Sequence, residues 1–590
     1  MNTLRRSIVL AFVALAAASA QPVIRDVVNA AGRIPSGFPS YGIAQGALFA
    51  ITGSGLGSDQ LQQASFPLPT DGLGGVTVQV QIADTTVDAI LVYTSSFEVG
   101  AILPSNTPLG TGTVTINNSG ATATAPITVV TAAFGAFSID YYSGTQAAAA
   151  FNVAGDGATN LNYQSQPGTI AQPGQTVMLH GTGLGAITSD ETQSGAADVS
   201  NASIQVFVGT QPATVVSAGR GTFPGLPDGL PAFPVPTGIA AWDVIQFVVP
   251  DGITGCNVPV VVQIGSYVSN FVWISISAGG GPCIDLNTAD FGDKVTLSGT
   301  ATTGYINLLR TTQRDSTNGQ VTSIGTEIGT ANFIQYDVPN PVTVRVSQYA
   351  FSTLSNNLDP GTCLLQTFRS VIPTEPVTIP PPTGPAPNPP RVLDVGDAIN
   401  LVNAAGTAKQ LKKTKDGAYA AGLGSSFAIP GLPPDNSKLF LIPGAVTADN
   451  GGGGADIGPF TSSLKLPSPA FSFDNIDSIG PNVDRSQGLT VTWSGGDPDS
   501  YVNITGTSFN QTGNVSLSGS FTCSERISAG QFTVPKFVTQ AMPATVSNSA
   551  LPPIGTIALW TYGLQPIAIP GVDIALFSIV LETQKRITYK

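Results

Sequence analysis

Apolar and polar residues alternate along much of the chain, in short stretches bounded by glycine, proline or small polar residues. Val76–Ile82 and Ile204–Val208 are clear examples, because every second residue in each is apolar. Such alternation places apolar side chains on one face of a strand and leaves the other face polar. The pattern predicts an all-β chain whose half-buried strands pack as pairs of sheets.

One arrangement of these stretches occurs twice. Gly46–Gly57 can be laid over Gly174–Gly185 without a gap. Each copy continues in the same order, with an alternating strand, a strand that ends in an apolar–proline pair, and a closing hairpin. We therefore expect two tandem β-sandwiches, at residues 21–135 and 136–280.

The repeated segments resemble the IPT/TIG family, the immunoglobulin-like domains of plexins and transcription factors. The resemblance rests on the apolar strand that runs into Gly53–Gly57 or Gly181–Gly185, on Val208–Val216, and on the strand Phe247–Pro250 before the closing hairpin. It covers residues 22–280, and the second copy is similar to a variant found in secreted bacterial proteins. The resemblance implies immunoglobulin-like sandwiches with a role in protein binding or adhesion.

Short β-prone stretches continue after the repeats and predict a third β-rich domain at residues 281–372. The strands expected there are Lys294–Leu297, Gly304–Leu309, Asn332–Tyr336 and Val342–Val346. Residues 373–390 follow and are dominated by proline, which favours extended polyproline geometry and a stiff spacer.

Residues 391–590 are predicted to form a C-terminal β-rich, immunoglobulin-like region of one or two domains. Leu489–Trp493 and Tyr501–Ile504 alternate with period two, and we expect them to pair through the turn Gly495–Pro498. Further strands are expected at Ser437–Ile442 and Ile574–Leu581.

The first residues have the features of an export signal. Arg5–Arg6 precede the apolar stretch Ile8–Ala17, and Ala18–Ala20 supplies the small-x-small pattern that signal peptidase accepts. The apolar stretch is shorter than the roughly 20 residues that span a bilayer, and no later stretch is longer. We expect residues 1–20 to be a cleaved signal peptide, and the mature chain to be secreted or held at the cell surface without a transmembrane segment.

The low charge content and the acidic net charge limit the kinds of partner that the chain can bind. Only 10% of the residues are charged, against a typical level of about 25%. The net charge is −13, so the chain is expected to repel the phosphate backbone of nucleic acids. An extracellular protein or glycan remains as the expected partner.

The four cysteines are even in number, which is typical of disulfides in an exported chain. Cys256 and Cys283 flank two predicted strands around Gly265–Ser266, and a hairpin there would bring them together. Cys363 and Cys523 would then pair by elimination. Free buried thiols are the alternative.

Catalytic chemistry is hard to find in the sequence. His180 is the only histidine, and the sister repeat has Thr52 in its place, which indicates an edge or surface residue with a structural role. We therefore predict no catalytic triad, no cofactor site and no zinc site, because a triad needs a base and zinc needs several cysteine or histidine ligands.

Two weaker possibilities use carboxylates. Glycosidases need only a pair of Asp or Glu residues, so they are the enzyme class that the sequence excludes least. Calcium prefers oxygen ligands from loops, and Asp497 with Asp499, or Asp156 near Asn152, could supply them. Turn formation is the simpler interpretation of all four residues.

A proline-rich insertion in the second repeat is the expected contact loop. Gly219–Pro236 has no counterpart of this length in the first repeat, and it carries Phe223 and Phe233 among five prolines. Loops on a rigid sandwich commonly carry recognition. The alternative is a loop that folds back over an apolar sheet face.

Two functions follow as hypotheses. The first is a noncatalytic secreted or cell-surface interaction protein that presents immunoglobulin-like modules to proteins or glycans. The second is an extracellular carbohydrate-active enzyme with its active site in residues 284–590.

Overall fold

The protein is described from a computed structural model. The structure describes residues 21–142, 147–162, 169–195, 202–226, 230, 232–283, 294–317, 320–345, 358–371, 389–428, 438–546 and 554–590. Nearly all of the regular structure in these ranges is β-strand, which confirms the all-β prediction. The predicted signal peptide, residues 1–20, and most of the proline-rich spacer lie outside the described residues.

The first sandwich consists of two five-stranded sheets, ordered β1-β3-β8-β7-β4 and β2-β10-β9-β5-β6. Its strands are β1 (Val23–Asn29), β2 (Ile43–Ala44), β3 (Leu48–Ser54), β4 (Gln62–Gln63), β5 (Val76–Ile82), β6 (Thr85–Asp88), β7 (Ile90–Thr94), β8 (Glu98–Ile102), β9 (Gly110–Asn118) and β10 (Ala121–Val130). The apolar residues of β5 and β9 face those of β3 and β8 across a fully buried core.

The second sandwich has its two layers joined by one shared strand. Its strands are β11 (Gly135–Ala136), β12 (Ala150–Val153), β13 (Thr159–Leu161), β14 (Thr176–Thr182), β15 (Ile204–Val208), β16 (Gln211–Arg220), β17 (Asp243–Val248), β18 (Gly255–Ile264), β19 (Tyr267–Val268) and β20 (Val272–Ile276). The first part of β16 pairs with β15 and its second part with β17. A bulge between Val215 and Ser217 allows this change of partner.

The internal repeat predicted from the sequence is present in the structure. β3 and β14 are the two strands that the repeat makes equivalent, and both are seven residues long. Each lies between antiparallel neighbours, β3 between β1 and β8 and β14 between β12 and β17. The sequence alignment therefore reports a structural duplication.

The remaining chain forms a 14-stranded sheet ordered β23-β34-β33-β36-β37-β21-β22-β27-β26-β25-β28-β29, with β24 and β31 attached at its sides, and a three-stranded sheet β30-β32-β35. The strands are β21 (Lys294–Thr317), β22 (Gln320–Arg345), β23 (Thr362–Val371), β24 (Arg391–Val392), β25 (Ala398–Val402), β26 (Ala408–Lys413), β27 (Tyr419–Ala428), β28 (Gly444–Asp449), β29 (Thr461–Leu466), β30 (Ser472–Phe473), β31 (Asn482–Val483), β32 (Leu489–Ser494), β33 (Tyr501–Thr512), β34 (Val515–Arg526), β35 (Gln531–Val534), β36 (Gly555–Pro566) and β37 (Ile574–Tyr589). A 3-10 turn at Ile527–Ala529 and the short helix α1 (Lys536–Ala541) interrupt the strands.

The sequence placed a domain boundary between residues 281–372 and 391–590, but the strands of both ranges share one sheet. β21 pairs in parallel with β37, from Thr303 opposite Ile574 to Gln313 opposite Gln584. β22 pairs with β27 on its other side. The two ranges therefore form one folding unit in which neither has a complete sheet alone.

Three local predictions in this region need correction. The four short strands expected in this region lie, as far as their residues are described, within one long hairpin, β21 and β22. β32 and β33 do not pair, because β32 joins β30 and β35 while β33 joins β34 and β36. Lys438–Ile442 is not a strand. Its backbone is held instead by the buried carboxylate of Glu327, which accepts from the amides of Phe440 and Leu441.

Both disulfides form as paired in the sequence analysis. Cys256 and Cys283 close a loop with a sequence separation of 27, and Cys363 and Cys523 are cross-strand partners on β23 and β34 with a separation of 160. Disulfides are typical of proteins outside the cytosol. In the described ranges, no helix is long and apolar enough to cross a membrane.

Candidate functional site

An aromatic cluster fills the contact between the two sandwiches. It is formed by Phe137, Tyr141, His180, Phe223, Phe233 and Trp242. Phe137 stacks on Trp242 with 4.4 Å between ring centroids, and on Tyr141 at 5.4 Å. Such ring pairs add to the stabilisation that burial of their apolar area provides. Residues of the first sandwich, among them Val28, Leu48 and Tyr93, share an apolar core with this cluster, which therefore joins the two sandwiches.

His180 lies inside this cluster, which corrects the prediction of an edge or surface residue. It is fully buried on β14, and its Nδ1 accepts a 2.8 Å hydrogen bond from Nε1 of Trp242. Burial lowers the pKa of His180 to about 3, so the ring is neutral near neutral pH. The rings of Phe151, Phe223 and Trp242 surround it, and a comparison with Thr52 could not reveal this cover.

The predicted contact loop folds back onto the same cluster. Phe223 and Phe233 stack on each other at 4.9 Å, and both contact Trp242. Each ring is half-buried. The structure thus places the two residues as a cover over the aromatic cluster, and a role for them in contacting a partner stays a prediction.

A buried ion pair connects the cluster to the surface. Arg33 donates two hydrogen bonds to Glu98, at 2.6 and 3.0 Å, and Glu98 also accepts a 2.6 Å bond from the hydroxyl of Tyr93. The hydroxyls of Tyr93 and Tyr141 lie 3.1 Å apart. Burial opposes the charge of Arg33, but the hydrogen bond and charge of Glu98 raise its pKa. Arg33 therefore stays charged, and its hydrogen bonds to Glu98 fix both side chains in place.

Above this ion pair lies a cleft between the first sandwich and β23, which we call the Phe97 cleft. It has a volume of about 720 Å³, and the lining residues used below are Arg25, Asp26, Arg33, Phe97, Tyr142 and Arg369. Phe97 is 53% exposed and Tyr142 is 44% exposed. Their rings meet edge to face with centroids 6.1 Å apart, and the Arg33 guanidinium lies 5.7 Å from the Tyr142 ring centre. A cation at this distance attracts the ring face and orients it.

The floor of the cleft carries a second ion pair. Nη1 of Arg369, on β23, donates to Asp26 of β1 at 2.9 Å and to the Arg25 carbonyl at 3.3 Å. Burial raises the pKa of Asp26, and the charges of Arg369 and Arg25 oppose that shift. The cleft thus combines exposed aromatic rings with fixed charged groups, the combination by which concave sites recognise polar ligands.

None of these residues was predicted from the sequence as a contact residue. Phe97 follows two serines in the turn after β7, and Tyr142 lies just beyond the junction of the two repeats. Aromatic residues in polar turns are the signal that could have indicated them. Arg369 gave no such signal, because it is brought to Asp26 from a distant part of the chain.

Of the predicted calcium ligands, the aspartates lie in turns, whereas Asn152 lies on β12. Asp497 accepts from the amide of Asp499 at 3.1 Å, and Asp156 accepts from the amide of Ala158 at 3.0 Å. Asn152 is buried and donates to a backbone carbonyl. Within the part of the chain that is described, no three His, Cys, Asp or Glu side chains gather closely enough to hold a metal ion.

Asp497 and Asp499 also line a second cleft, which we call the Asp497 cleft. It has a volume of about 680 Å³ and lies between the turn before β33 and strands β29, β36 and β37. Tyr501 and Tyr562 contribute to its wall. This is where the structure brings two carboxylates of the C-terminal region to one concave surface.

No protein-family model matches the chain, and no curated protein matches it either. Among solved structures, it is similar to the extracellular region of plexin A4, with 10% identity, a TM-score of 0.14, and coverage of 45% of this chain but only 19% of the plexin chain. A tandem of titin immunoglobulin domains gives 8% identity and a TM-score of 0.12, covering 44% of this chain and 97% of the titin chain. Domains 5 and 6 of the S-layer protein SbsC give 13% identity and a TM-score of 0.14, covering 43% of this chain and 98% of that one. At these scores the fold assignment rests on the strand pairings themselves.

Proposed function

We propose that this chain is a noncatalytic interaction protein, secreted or held at the cell surface, which presents IPT/TIG-like modules and binds an extracellular glycan or protein through the Phe97 cleft. The observation that carries the proposal is the exposed pair Phe97 and Tyr142, supported from below by the buried Arg33–Glu98 ion pair. The apolar part of a ligand would lie against the rings, while the charged floor would fix its orientation.

The anchoring of Tyr142 favours ligand binding in the Phe97 cleft. Tyr142 follows Tyr141, which is buried in the aromatic cluster, so its backbone is anchored between the two sandwiches. A ligand that meets a preformed surface loses less free energy to ordering that surface. Export is supported by the sequence of residues 1–20 and by the two disulfides.

The test is a binding screen with a matched pair of variants. The purified chain is applied to a glycan array and to a panel of extracellular proteins, and each hit is repeated with F97A/Y142A and with F427A. Phe427 is 57% exposed but belongs to β27, away from the cleft. We expect F97A/Y142A to lose binding at least about tenfold and F427A to retain it. Equal binding by all three proteins would contradict the proposal.

The second candidate is the carbohydrate-active enzyme, and the Asp497 cleft is the observation that favours it. Two carboxylates in one cleft are what glycoside hydrolysis requires. A hydrolysis assay on a panel of polysaccharides, with D497N and D499N as variants, tests this function. Turnover that either substitution abolishes would support the enzyme over the noncatalytic protein.

A further inference from the structure

The charges in the Phe97 cleft differ in sign from those of the protein as a whole. The chain has a net charge of −13, yet the cleft is lined by three arginines and only two acidic residues. Glu98 is fully occupied by Arg33 and Tyr93, and Asp26 by Arg369. One positive charge is left over on the acidic protein.

Two guanidinium groups have donors to spare. Arg25 is exposed and makes no ion pair among the described residues. Nε of Arg369 is buried and, in the same ranges, has no hydrogen-bond partner. A buried donor without an acceptor costs free energy, so an anionic oxygen that reached it would be bound favourably.

An acidic peptide is the first alternative ligand, and the local backbone argues against it. A peptide would bind most readily as an added strand along the free edge of β1. The pairing of β1 with β3 is interrupted by a bulge between Ile24 and Asp26, and the Arg25 carbonyl already accepts from Arg369. Both features disrupt the regular row of backbone groups that strand addition needs.

We infer that the Phe97 cleft binds an acidic polysaccharide, with a sugar ring against Phe97 and Tyr142 and its carboxylate or sulfate group on Arg25, beside the partly exposed guanidinium of Arg369. This inference rests on the proposed function and names the ligand class of the same site. The apolar face of a sugar ring suits an exposed aromatic surface, and the anionic substituent suits the surplus charge.

The experiment measures affinity for four polymers by calorimetry or affinity electrophoresis. The polymers are polygalacturonate, dextran sulfate, neutral dextran and polyglutamate. We expect binding to the first or second polymer, weakened by added salt because charge attraction is screened. R25Q should weaken it about tenfold, the effect of one lost charged contact. K412Q removes an equal charge from an exposed position on β26 and should leave affinity unchanged.

The possible results distinguish a wrong ligand class from a wrong binding site. The inference of an acidic polysaccharide is wrong if the chain binds neutral dextran or polyglutamate in preference, or if R25Q and K412Q behave alike. The proposed function survives either result as long as F97A/Y142A abolishes binding. If the F97A/Y142A protein binds every polymer like the wild type, both fail. Thermal melting of R25Q at the wild-type temperature shows that the variant is folded.

Discussion

The indole nitrogen of Trp242 donates a hydrogen bond to Nδ1 of His180 across 2.8 Å, inside the aromatic cluster of the second sandwich. Neither ring is reached by solvent. The neutral form of His180 is required, because a protonated ring has no acceptor to offer the indole. The histidine therefore makes this contact sensitive to pH.

Replacement of His180 by glutamine should reduce the loss of stability in mild acid. The pKa of His180 is about 3 in the fold and about 6.5 when the chain is unfolded, so between these values the unfolded state binds the extra proton. The free energy of unfolding keeps its full value at a pH above the pKa of the unfolded chain. As the pH drops below that pKa, it falls by up to about 1.4 kcal/mol per pH unit. Thermal melting between pH 7 and pH 4.5 measures the slope. Parallel slopes for wild type and H180Q would refute this assignment.

Replacement of Glu327 by glutamine should destabilise the large sheet by about 3 kcal/mol, because it leaves Arg310 without its buried partner. Glu327 is fully buried, accepts from Arg310 at 2.6 Å and holds the backbone amides of Phe440 and Leu441. D477N is the matched control. Asp477 pairs with Arg314 at the surface, so its loss should cost under about 1 kcal/mol. Urea denaturation of both variants gives the comparison, and similar losses would contradict it.

Replacement of Gly329 by alanine should destabilise the protein by about 1–3 kcal/mol through overpacking. An added Cβ would lie 2.6 Å from Leu411 and 3.1 Å from Leu308, both in the core. Gly422, on β27, lies opposite Ile328, the residue before Gly329, and has open space around its Cβ position. G422A should therefore be neutral or slightly stabilising. Urea midpoints test the pair, and a G329A protein as stable as G422A would show that this core is loosely packed.

The two disulfides should differ in what they contribute. If a cross-link acts by restricting the unfolded chain, the Cys363–Cys523 bond should stabilise by about 5 kcal/mol and the Cys256–Cys283 bond by about 3.5 kcal/mol. The difference follows from their sequence separations of 160 and 27. The double variants C363S/C523S and C256S/C283S, unfolded in urea, give the two values. A larger loss from the shorter loop would rule out the entropic explanation.

Local sequence patterns were sufficient to predict strands and contacts between residues that are close in the sequence. The repeat located β3 and β14, and a hairpin located the Cys256–Cys283 pair. The long hairpin of β21 and β22 was missed because its glycines look like turn residues. In the structure they leave space for side chains of the neighbouring strand. At Gly304, for example, an added Cβ would lie 2.5 Å from the Phe333 ring. A period-two pattern gives no information about such cross-strand crowding.

The candidate site was less predictable than the fold. Phe97, Tyr142 and Arg369 come from two repeats and a third region, and only the tertiary structure brings them to one cleft. Similarly, nothing near Glu327 in the sequence indicates that its charge is buried against Arg310. Alternation identifies the faces of strands, but it does not specify which faces meet.

The parallel pairing of β21 with β37 has a consequence for the order in which the chain folds. Thr303 finds its partner Ile574 only after all of the sequence between them has been made. As the chain emerges from its N-terminus, the two sandwiches can close first, whereas β21 must wait with one edge unpaired. An uncovered edge is a template for association with other chains. The interval before β37 docks is therefore the period in which this protein is most exposed to aggregation, and where a chaperone would protect it most.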